Sequence, residues 1–312
     1  MVEKIATRDA YGKALVELGA KDSRVVVLDA DLSGSTKTIH FAKAFPERFF
    51  NMGVSEQDLM GTAAGLSLMG KIPFASTFAM FATGRAFEIV RNSIAYPHLP
   101  VRICASHAGL TVGEDGASHQ TIADIAIMRV LPGMTVIVPA DATETRQVIH
   151  KIVDVNGPVY VRLSRAAFPV IYDESYRFEI GKANKLRDGK DIAIVACGLM
   201  VCHALEAAQI LEKQGVSASV VNMSTIKPLD GEMLKELAKQ TGHIVTVEEH
   251  SILGGLGSAV AEYLSEFGNV KIHRLGVRDE FGQSGPAPEL LKHYHLMPED
   301  IAREAQNFLK QK

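Results

Sequence analysis

The segment 106–120 (SHAGLTVGEDGASHQ) carries the side chains that are best suited to chemistry. It combines two histidines, two acidic residues and three glycines. Histidine can exchange protons near neutral pH or bind anionic oxygens, and a carboxylate can accept hydrogen bonds from substrate hydroxyls. The glycines permit sharp turns and a close approach of the backbone to a ligand. We therefore regard His107, His119 and Asp115 as candidate catalytic or substrate-binding residues.

Two other interpretations of this segment are weaker. A zinc site is one of them, but no cysteine lies nearby and the histidines do not form a helical His-x-x-x-His pair. A purely structural loop is the other, although such a density of titratable groups favours a functional loop. The segment is also polar enough that we expect it not to be buried.

Glu56 and two phenylalanines gain importance only if a ligand lies beside them. Glu56 stands just before a helix rich in small residues, where a carboxylate ordinarily stabilises the helix N-terminus. Phe78 and Phe81 are three residues apart and share one face of a helix, which usually indicates core packing. The same spacing would also suit contact with a flat ligand.

Arginines and a glycine-rich turn are the remaining candidates. Arg162 and Arg165, in VYVRLSR, could each bind a phosphate with two hydrogen bonds or form an ordinary surface ion pair. Arg8 carries less weight on its own. The turn 253–257 (LGGLG) lacks the full dinucleotide fingerprint and the P-loop lysine, so we predict a tight turn rather than a phosphate site. The adjacent 248–250 (EEH) is predicted to be a solvated strand end.

The elements that would position these residues follow an α/β pattern. Short β-branched runs alternate with longer helical patterns, which is typical of βαβ units and a parallel sheet. In the first part of the chain we predict strands at 24–28, 73–76, 101–105, 135–138 and 159–163, and helices at 7–18, 58–69 and 84–94. The segment 106–120 therefore follows a strand, at the edge where α/β proteins place their binding sites.

A second α/β series follows a polar segment that we interpret as a linker. Its predicted strands are 192–196, 217–222, 243–248 and 270–275, and its predicted helices are 202–214, 231–239 and 257–267. We predict two doubly wound domains, at 1–175 and 191–312, joined by a linker at 176–190.

Composition excludes several classes of protein. The chain has 312 residues, 47% of them hydrophobic, and a formal net charge of −3, which gives no indication of a nucleic-acid or membrane-surface partner. No segment has the pattern of a signal peptide or a membrane-spanning helix. The three cysteines lack metal-site spacing and are predicted to be buried thiols in a reducing cytoplasm.

Five segments of the chain together resemble the transketolase family in order, spacing and identity. The family patterns are G-[IV]-x-E, T-F-x-x-F, H-x-x-x-x-V-G-E-D-G-x-x-H-Q, L-S-R and F-G-x-S-G-x-[AP]-P-E. The corresponding segments here are 53–56, 77–81, 107–120, 163–165 and 281–289. The resemblance spans essentially the whole chain. It implies a pyrimidine-binding domain for thiamine diphosphate followed by a transketolase C-terminal domain.

The resemblance also implies roles for the cofactor-binding residues. Glu56 would accept a hydrogen bond from the aminopyrimidine ring of thiamine diphosphate and so promote ylid formation. Phe81, with Phe78, would stack on that ring, and Asp31 in LDADLSGS matches a position close to the cofactor.

For the substrate, the resemblance assigns the residues of the loop and of the surrounding strand ends. Asp115 would bind a sugar hydroxyl and His119 the reacting carbonyl end. The sugar phosphate would be held by Arg8, Ser35, His107 and Arg165. The implied reaction is the transfer of a two-carbon ketol unit from a ketose phosphate to an aldose phosphate.

The absence of one family feature implies a partner subunit. The diphosphate–Mg²⁺ motif, G-D-G followed some thirty residues later by Asn, lies in a separate N-terminal domain of the family and has no counterpart here. We therefore expect a split enzyme in which an N-terminal subunit holds most of the diphosphate–Mg²⁺ site, assembled as an α2β2 heterotetramer.

Three alternatives remain open. A 2-oxo acid dehydrogenase β subunit has the same two-domain build but lacks the V-G-E-D-G-x-x-H loop. A deoxyxylulose phosphate synthase-like activity shares the donor half-reaction, and residues 108–110 (AGL) replace the Asp-Ser-Ile that is frequent in transketolases. An inactive regulatory paralogue is the non-enzyme alternative, against which the presence of Glu56, Asp115 and both loop histidines argues.

Overall fold

The computed structural model describes residues 3–268 and 270–311, and it confirms the two-sheet α/β architecture expected from the sequence. The first part of the chain contains strands β1 (Lys4–Ala6), β2 (Val25–Asp29), β3 (Phe49–Asn51), β4 (Ile72–Ser76), β5 (Arg102–Ala105), β6 (Thr135–Ile137), β7 (Val159–Arg162) and β8 (Ala167–Pro169). Its helices are α1 (Thr7–Lys21), α2 (Ser33–Thr36), α3 (Ile39–Ala44), α4 (Glu56–Leu68), α5 (Phe87–Ile89), α6 (Asp124–Arg129) and α7 (Ala142–Ile152).

The helix predicted at 84–94 is longer and less regular than its sequence pattern indicates. π-helical turns at Phe81–Arg85 and Val90–Ala95 flank the short α5. Such turns widen a helix locally and are frequent at functional sites.

The second part of the chain repeats the alternation of strands and helices. Its strands are β9 (Asn184–Arg187), β10 (Ile192–Ala196), β11 (Ala218–Asn222), β12 (Thr225–Lys227), β13 (His243–Ser251) and β14 (Lys271–Val277). Its helices are α8 (Met200–Lys213), α9 (Gly231–Thr241), α10 (Leu256–Ser265), α11 (Ala287–His293) and α12 (Pro298–Lys310).

Most strands lie in one of two sheets. The larger sheet has the order β12-β6-β7-β5-β4-β2-β3, with only β12 antiparallel to its neighbour, and the smaller has the order β14-β13-β10-β11-β9, with only β9 antiparallel. A separate two-stranded antiparallel ribbon joins β1 to β8. The central strands of both sheets, such as β2, β7, β10 and β11, are buried throughout, which explains their β-branched composition.

The two halves of the chain are more closely joined than the predicted division suggests. Strand β12 comes from the second half but pairs with β6 at the edge of the first sheet. Strand β9 lies within the predicted linker 176–190 and pairs with β11. One buried apolar cluster also includes residues of both halves, such as Val26 and Ile103 with Val195 and Leu237. The domain boundaries at 175 and 191 therefore stay a prediction.

Asp141 stabilises the connection between the two halves. Its carboxylate accepts hydrogen bonds from the backbone N–H of Glu144 at the start of α7 (2.8 Å), and from those of Ile171 (2.7 Å) and Tyr172 (2.8 Å) in the connecting segment. Three backbone donors thus depend on one buried side chain.

We expect Asp141→Ala to lower the free energy of unfolding by about 3 kcal/mol, because it removes a helix cap and leaves two further backbone donors unpaired. Urea denaturation followed by circular dichroism measures this loss. Asp188→Ala is the matched control. That side chain is 86% exposed, and its ion pair with Lys185, at 3.5 Å, lies at the surface. A loss no larger in Asp141→Ala than in Asp188→Ala would contradict this role.

Candidate functional site

Four rings from two adjacent strand ends form the centre of the site. Phe78 and Phe81 follow β4, and His107 follows its parallel neighbour β5. The ring centroids of Phe78 and His107 are 3.8 Å apart, those of Phe78 and Phe81 are 6.1 Å apart, and those of Phe81 and His119 are 5.3 Å apart. The structure thus brings together both predicted aromatic residues and both predicted histidines.

The hydrogen bonds of His107 define its tautomer. The Arg8 Nη1 group lies 3.2 Å from Nε2 of His107, and the Ser106 hydroxyl lies 2.8 Å from its Nδ1. Because a guanidinium group can only donate, Nε2 must accept, so Nδ1 carries the hydrogen and donates to Ser106. Burial, and next to it the charge of Arg8, lower the pKa of His107 to about 3. The imidazole is therefore neutral, with its lone pair directed at Arg8.

The cations beside His107 form a potential anion site. Arg8 Nη1 also donates to the backbone oxygen of Ser35 (3.0 Å), while its buried Nε has no partner within the described residues. Arg165 donates to the backbone oxygen of Val112 and lies 3.2 Å from Glu114. Burial lowers the pKa of Arg8, and the charge of Arg165 lowers it further. Two guanidinium groups whose charges repel each other in this way favour the binding of an anion between them.

Asp29 organises the loop that carries Asp31 and Ser35. Its buried carboxylate accepts three hydrogen bonds, from the backbone N–H of Leu32 (2.6 Å) and the hydroxyls of Thr36 (2.6 Å) and Thr38 (2.8 Å). Asp31 adopts a left-handed backbone conformation (φ 63°) and accepts a hydrogen bond from Asn51. Lys37, in the same loop, also lowers the pKa of His107, although no motif in the sequence marks this lysine.

Glu56 is the first residue of α4, and its side chain is buried. Its Oε2 lies 3.9 Å from Nε of Arg85, beyond hydrogen-bond distance. Arg85 ends the π-helical turn that begins at Phe81, so this contact links Glu56 to the element that carries the ring. The carboxylate keeps hydrogen-bonding capacity for a ligand. Sequence reasoning did not identify Arg85 as a neighbour of Glu56.

The loop 106–120 is more buried than its polarity predicts. Glu114 and Asp115 are exposed, but residues 106–113 are buried. Gln120 makes this burial possible, because its Nε2 donates to the backbone oxygens of Leu110 (3.1 Å), Gly113 (3.1 Å) and Gln283 (2.8 Å). The expectation of an unburied loop was wrong, because one amide side chain satisfies the carbonyl groups that water would otherwise bind.

The prediction that residues 248–250 form a solvated strand end was also wrong. Glu248, Glu249 and His250 all lie in β13 and are at most 3% exposed. Glu248 accepts hydrogen bonds from the backbone N–H groups of Leu256 (2.7 Å) and Gly257 (2.8 Å) at the start of α10. The glycine-rich turn therefore surrounds an internal carboxylate, and its prediction as a tight turn rather than a phosphate site agrees with this arrangement.

Arg162 fits neither of its two predicted roles. It is buried, its Nε donates to Asp124 (2.8 Å), and its Nη2 donates to the backbone oxygen of Glu249 (3.0 Å). It thus forms an internal ion pair at the junction of the two halves. Its spacing in the sequence does not distinguish it from Arg165, whose charge contributes to lowering the pKa of His107.

Neither a metal centre nor a membrane-spanning helix is found in the part of the chain that the structure describes. No group of three or more His, Cys, Asp or Glu side chains in residues 3–268 and 270–311 is arranged to hold a metal ion. Within the same ranges, no helix has the length and apolar character needed to cross a membrane.

Comparisons with protein families define the class of protein. Residues 3–170 match the transketolase pyrimidine-binding domain, and residues 181–301 match the transketolase C-terminal domain. The chain is thus a two-domain α/β protein whose pyrimidine-binding domain implies binding of thiamine diphosphate. It belongs to the transketolase family, as its sequence motifs predict.

Several relatives match the chain from end to end. A Methanocaldococcus jannaschii protein described as a transketolase C-terminal section is 55% identical and covers 97% of this chain and 96% of its own length. The 6-deoxy-6-sulfo-D-fructose transketolase subunit SqwH of a Clostridium species is 42% identical (98% and 95% covered). One of the subunits of the apulose-4-phosphate transketolase of Phocaeicola vulgatus is 41% identical (98% and 98% covered).

A solved structure agrees with this family assignment. A split-gene transketolase, described as an inactive β4 tetramer, superposes with a TM-score of 0.91 at 56% identity and covers 99% of this chain and 100% of its own. The fold and the family are therefore established, while the role of each site residue stays a prediction.

The state of His107 predicts how stability depends on pH. Its pKa is about 3 in the folded chain and near 6.5 in an unfolded one, so the unfolded state binds the extra proton between these values. Stability present above about pH 6.5 is therefore lost as the pH falls towards 3.

We expect His107→Gln to reduce the loss of unfolding free energy between pH 7 and pH 5 by about 2 kcal/mol relative to the wild type. Urea denaturation at both pH values measures this loss. His40→Gln, which replaces an exposed imidazole, should leave the pH dependence as in the wild type. Equal pH dependence in the wild type and His107→Gln would contradict a neutral, buried His107.

Proposed function

We propose that this chain is the C-terminal subunit of a split, thiamine diphosphate-dependent transketolase. It acts with an N-terminal subunit that holds the diphosphate and Mg²⁺, and the pair transfers a two-carbon ketol unit between sugar phosphates. The observation that carries the proposal is the buried Glu56, which Arg85 links to the helical turn bearing Phe81, beside the ring cluster with His107 and His119.

Relatives support the two-subunit organisation. Three relatives that match this chain over at least 95% of their own length are described as a C-terminal section or as single subunits of transketolases. The similar solved chain forms a β4 tetramer described as inactive. By analogy, this chain self-associates, lacks activity alone and becomes active in an α2β2 assembly in the cytoplasm.

The residues present fit the pyrimidine end of thiamine diphosphate. Glu56 supplies a buried carboxylate with unused acceptor capacity, as a ring nitrogen requires. Phe81, with Phe78 behind it, supplies an aromatic surface for a flat ring, and Asp31 lies in the adjoining loop. When bound, the cofactor would supply the electron sink that stabilises a two-carbon carbanion. Glu56 would hold a proton at the pyrimidine nitrogen and so favour the reactive tautomer.

The remaining site residues would bind the sugar phosphate. Arg8 and Arg165 form the cationic pair for the phosphate, with Ser35 and the neutral His107 beside them. Nε2 of His107 would accept a hydrogen bond from a substrate hydroxyl once Arg8 turns to the phosphate. Asp115, which is exposed at the loop tip, would bind a further hydroxyl. His119 would donate a hydrogen bond to the reacting carbonyl oxygen.

The relatives do not define the sugar substrates of this chain. Relatives of similar identity are named for different substrates, 6-deoxy-6-sulfo-D-fructose and apulose 4-phosphate. We propose pentose phosphates for this chain because of its paired arginines.

A ketol-transfer assay with xylulose 5-phosphate and ribose 5-phosphate, run on the chain alone and with the N-terminal subunit, tests this proposal. Activity only in the pair supports the proposal. Turnover by the isolated chain would contradict the split enzyme, and silence in a cofactor-loaded pair would contradict these sugars.

Glu56→Gln should abolish transfer in the assembled enzyme, lowering kcat by about a hundredfold or more, because an amide cannot hold the proton at the pyrimidine nitrogen. Far-ultraviolet circular dichroism should show an unchanged fold. Glu232→Gln, an exposed residue of α9 paired with Lys235, is the matched control and should retain full activity. Wild-type turnover by Glu56→Gln would refute the role assigned to this carboxylate.

Arg8→Ala should raise the KM for xylulose 5-phosphate by about thirtyfold, because it removes a charge-assisted hydrogen bond worth about 2 kcal/mol. The same variant should leave the KM for unphosphorylated xylulose nearly unchanged. Arg177→Ala, which removes an exposed guanidinium, serves as the control. An equal change for both sugars would show that Arg8 does not bind the phosphate.

A further inference from the structure

The second half of the chain holds the loop 106–120 at three points. Thr111 donates its backbone N–H to the Glu249 carboxylate, Gln120 donates to the backbone oxygen of Gln283 (2.8 Å), and Ser284 donates to the backbone oxygen of Glu114 (2.5 Å). Glu249 is the acidic member of this set.

Glu249 lies against a part of the loop with an unusual backbone conformation. Gly109 has a φ of 81°, and a Cβ atom built there would lie 2.5 Å from Cδ of Glu249. Two residues earlier, His107 adopts a φ of 59°, which is costly for a residue with a side chain. Such a conformation persists only where its surroundings enforce it. The hydrogen bond from Thr111 to Glu249 is one such restraint.

Glu249 is energetically unfavourable at this position. Burial raises its pKa to about 7, although the nearby charge of Arg162 opposes the shift. Its Oε2 has no partner within the described residues. An apolar side chain of similar size would avoid this desolvation cost, so packing alone does not account for a glutamate here.

We propose that Glu249 is a positioning residue for the loop 106–120, which we call the substrate loop. By accepting the N–H of Thr111 and filling the space beside Gly109, it holds the loop stem in the conformation that directs His107 towards Arg8. It touches neither the proposed cofactor residues nor Arg8, so it acts through the loop. Its effect on ketol transfer rests on the proposed function, whereas its effect on the loop does not.

Glu248 provides a matched comparison on the same strand. It is equally buried, but its carboxylate binds the start of α10 and not the loop. Glu249→Met and Glu248→Met therefore each remove one buried carboxylate of β13 at similar volume. Glu249→Gln is the conservative variant, because its amide oxygen can still accept from Thr111. If Glu249→Met does not fold, Glu249→Asp withdraws the acceptor from Thr111 while retaining a carboxyl group.

The first measurement is hydrogen–deuterium exchange on the complete chain. Glu249→Met should speed exchange of the amides in residues 109–121 about tenfold or more, Glu249→Gln should restore wild-type exchange, and Glu248→Met should leave these amides unchanged. Unaltered loop exchange in Glu249→Met, or equal acceleration in Glu248→Met, overturns the proposal.

The second measurement is ketol transfer by the assembled enzyme. Glu249→Met should lower kcat by roughly ten- to a hundredfold with little change in KM for the donor, Glu249→Gln should restore it, and Glu248→Met should keep wild-type kcat. A wild-type kcat in Glu249→Met despite faster loop exchange overturns the catalytic part of the proposal. If the wild-type assembly itself transfers no ketol unit, the proposed function fails, and the exchange measurement still decides the positioning role.

Discussion

The buried charge of Arg162 is the constraint on which the junction of the two halves depends. A guanidinium group stays protonated in a protein interior, so its surroundings must compensate it. Asp124 does so at 2.8 Å and is fixed in turn by the hydroxyl of Tyr160 at 2.7 Å. The backbone oxygens of Glu249 and Thr121 accept from the same guanidinium. One side chain thus fixes β7, the start of α6, the end of the substrate loop and β13 relative to each other.

This constraint explains why the two halves of the chain depend on each other for stability. When either member of a buried ion pair is removed, the protein typically loses about 3–5 kcal/mol of stability, because the other charge is left buried without a partner. The carbonyl group that completes the coordination of Arg162 comes from β13 of the second sheet. Together with β12 at the edge of the first sheet, it makes the two sheets depend on each other. The substrate loop lies between them, attached to one by its stem and to the other by Glu249.

The sequence predicted the parts of this structure that depend on local patterns. Buried parallel strands such as β2 and β10 are continuous β-branched runs, so their positions could be predicted within a few residues. Edge strands such as β9 and β12 are short and pair antiparallel across the predicted boundary, so no local period indicates them. For the site, motif order grouped Phe81, His107 and His119, and their rings lie in one cluster with Phe78, while their roles stay predictions. It could not indicate Glu249, because consecutive acidic residues at a strand end are usually solvated.

The electrostatics of the site follow from the burial of His107 beside several cationic side chains. His107 is neutral because it is enclosed and surrounded by Arg8, Arg165 and Lys37, not because of its own sequence context. An anion between the two guanidinium groups would offset the charges that oppose protonation of the imidazole. Linkage then requires that anion binding raise the proton affinity of His107, and that protonation strengthen anion binding by the same factor. The cations that would hold a substrate phosphate therefore also set the protonation state of the histidine beside it.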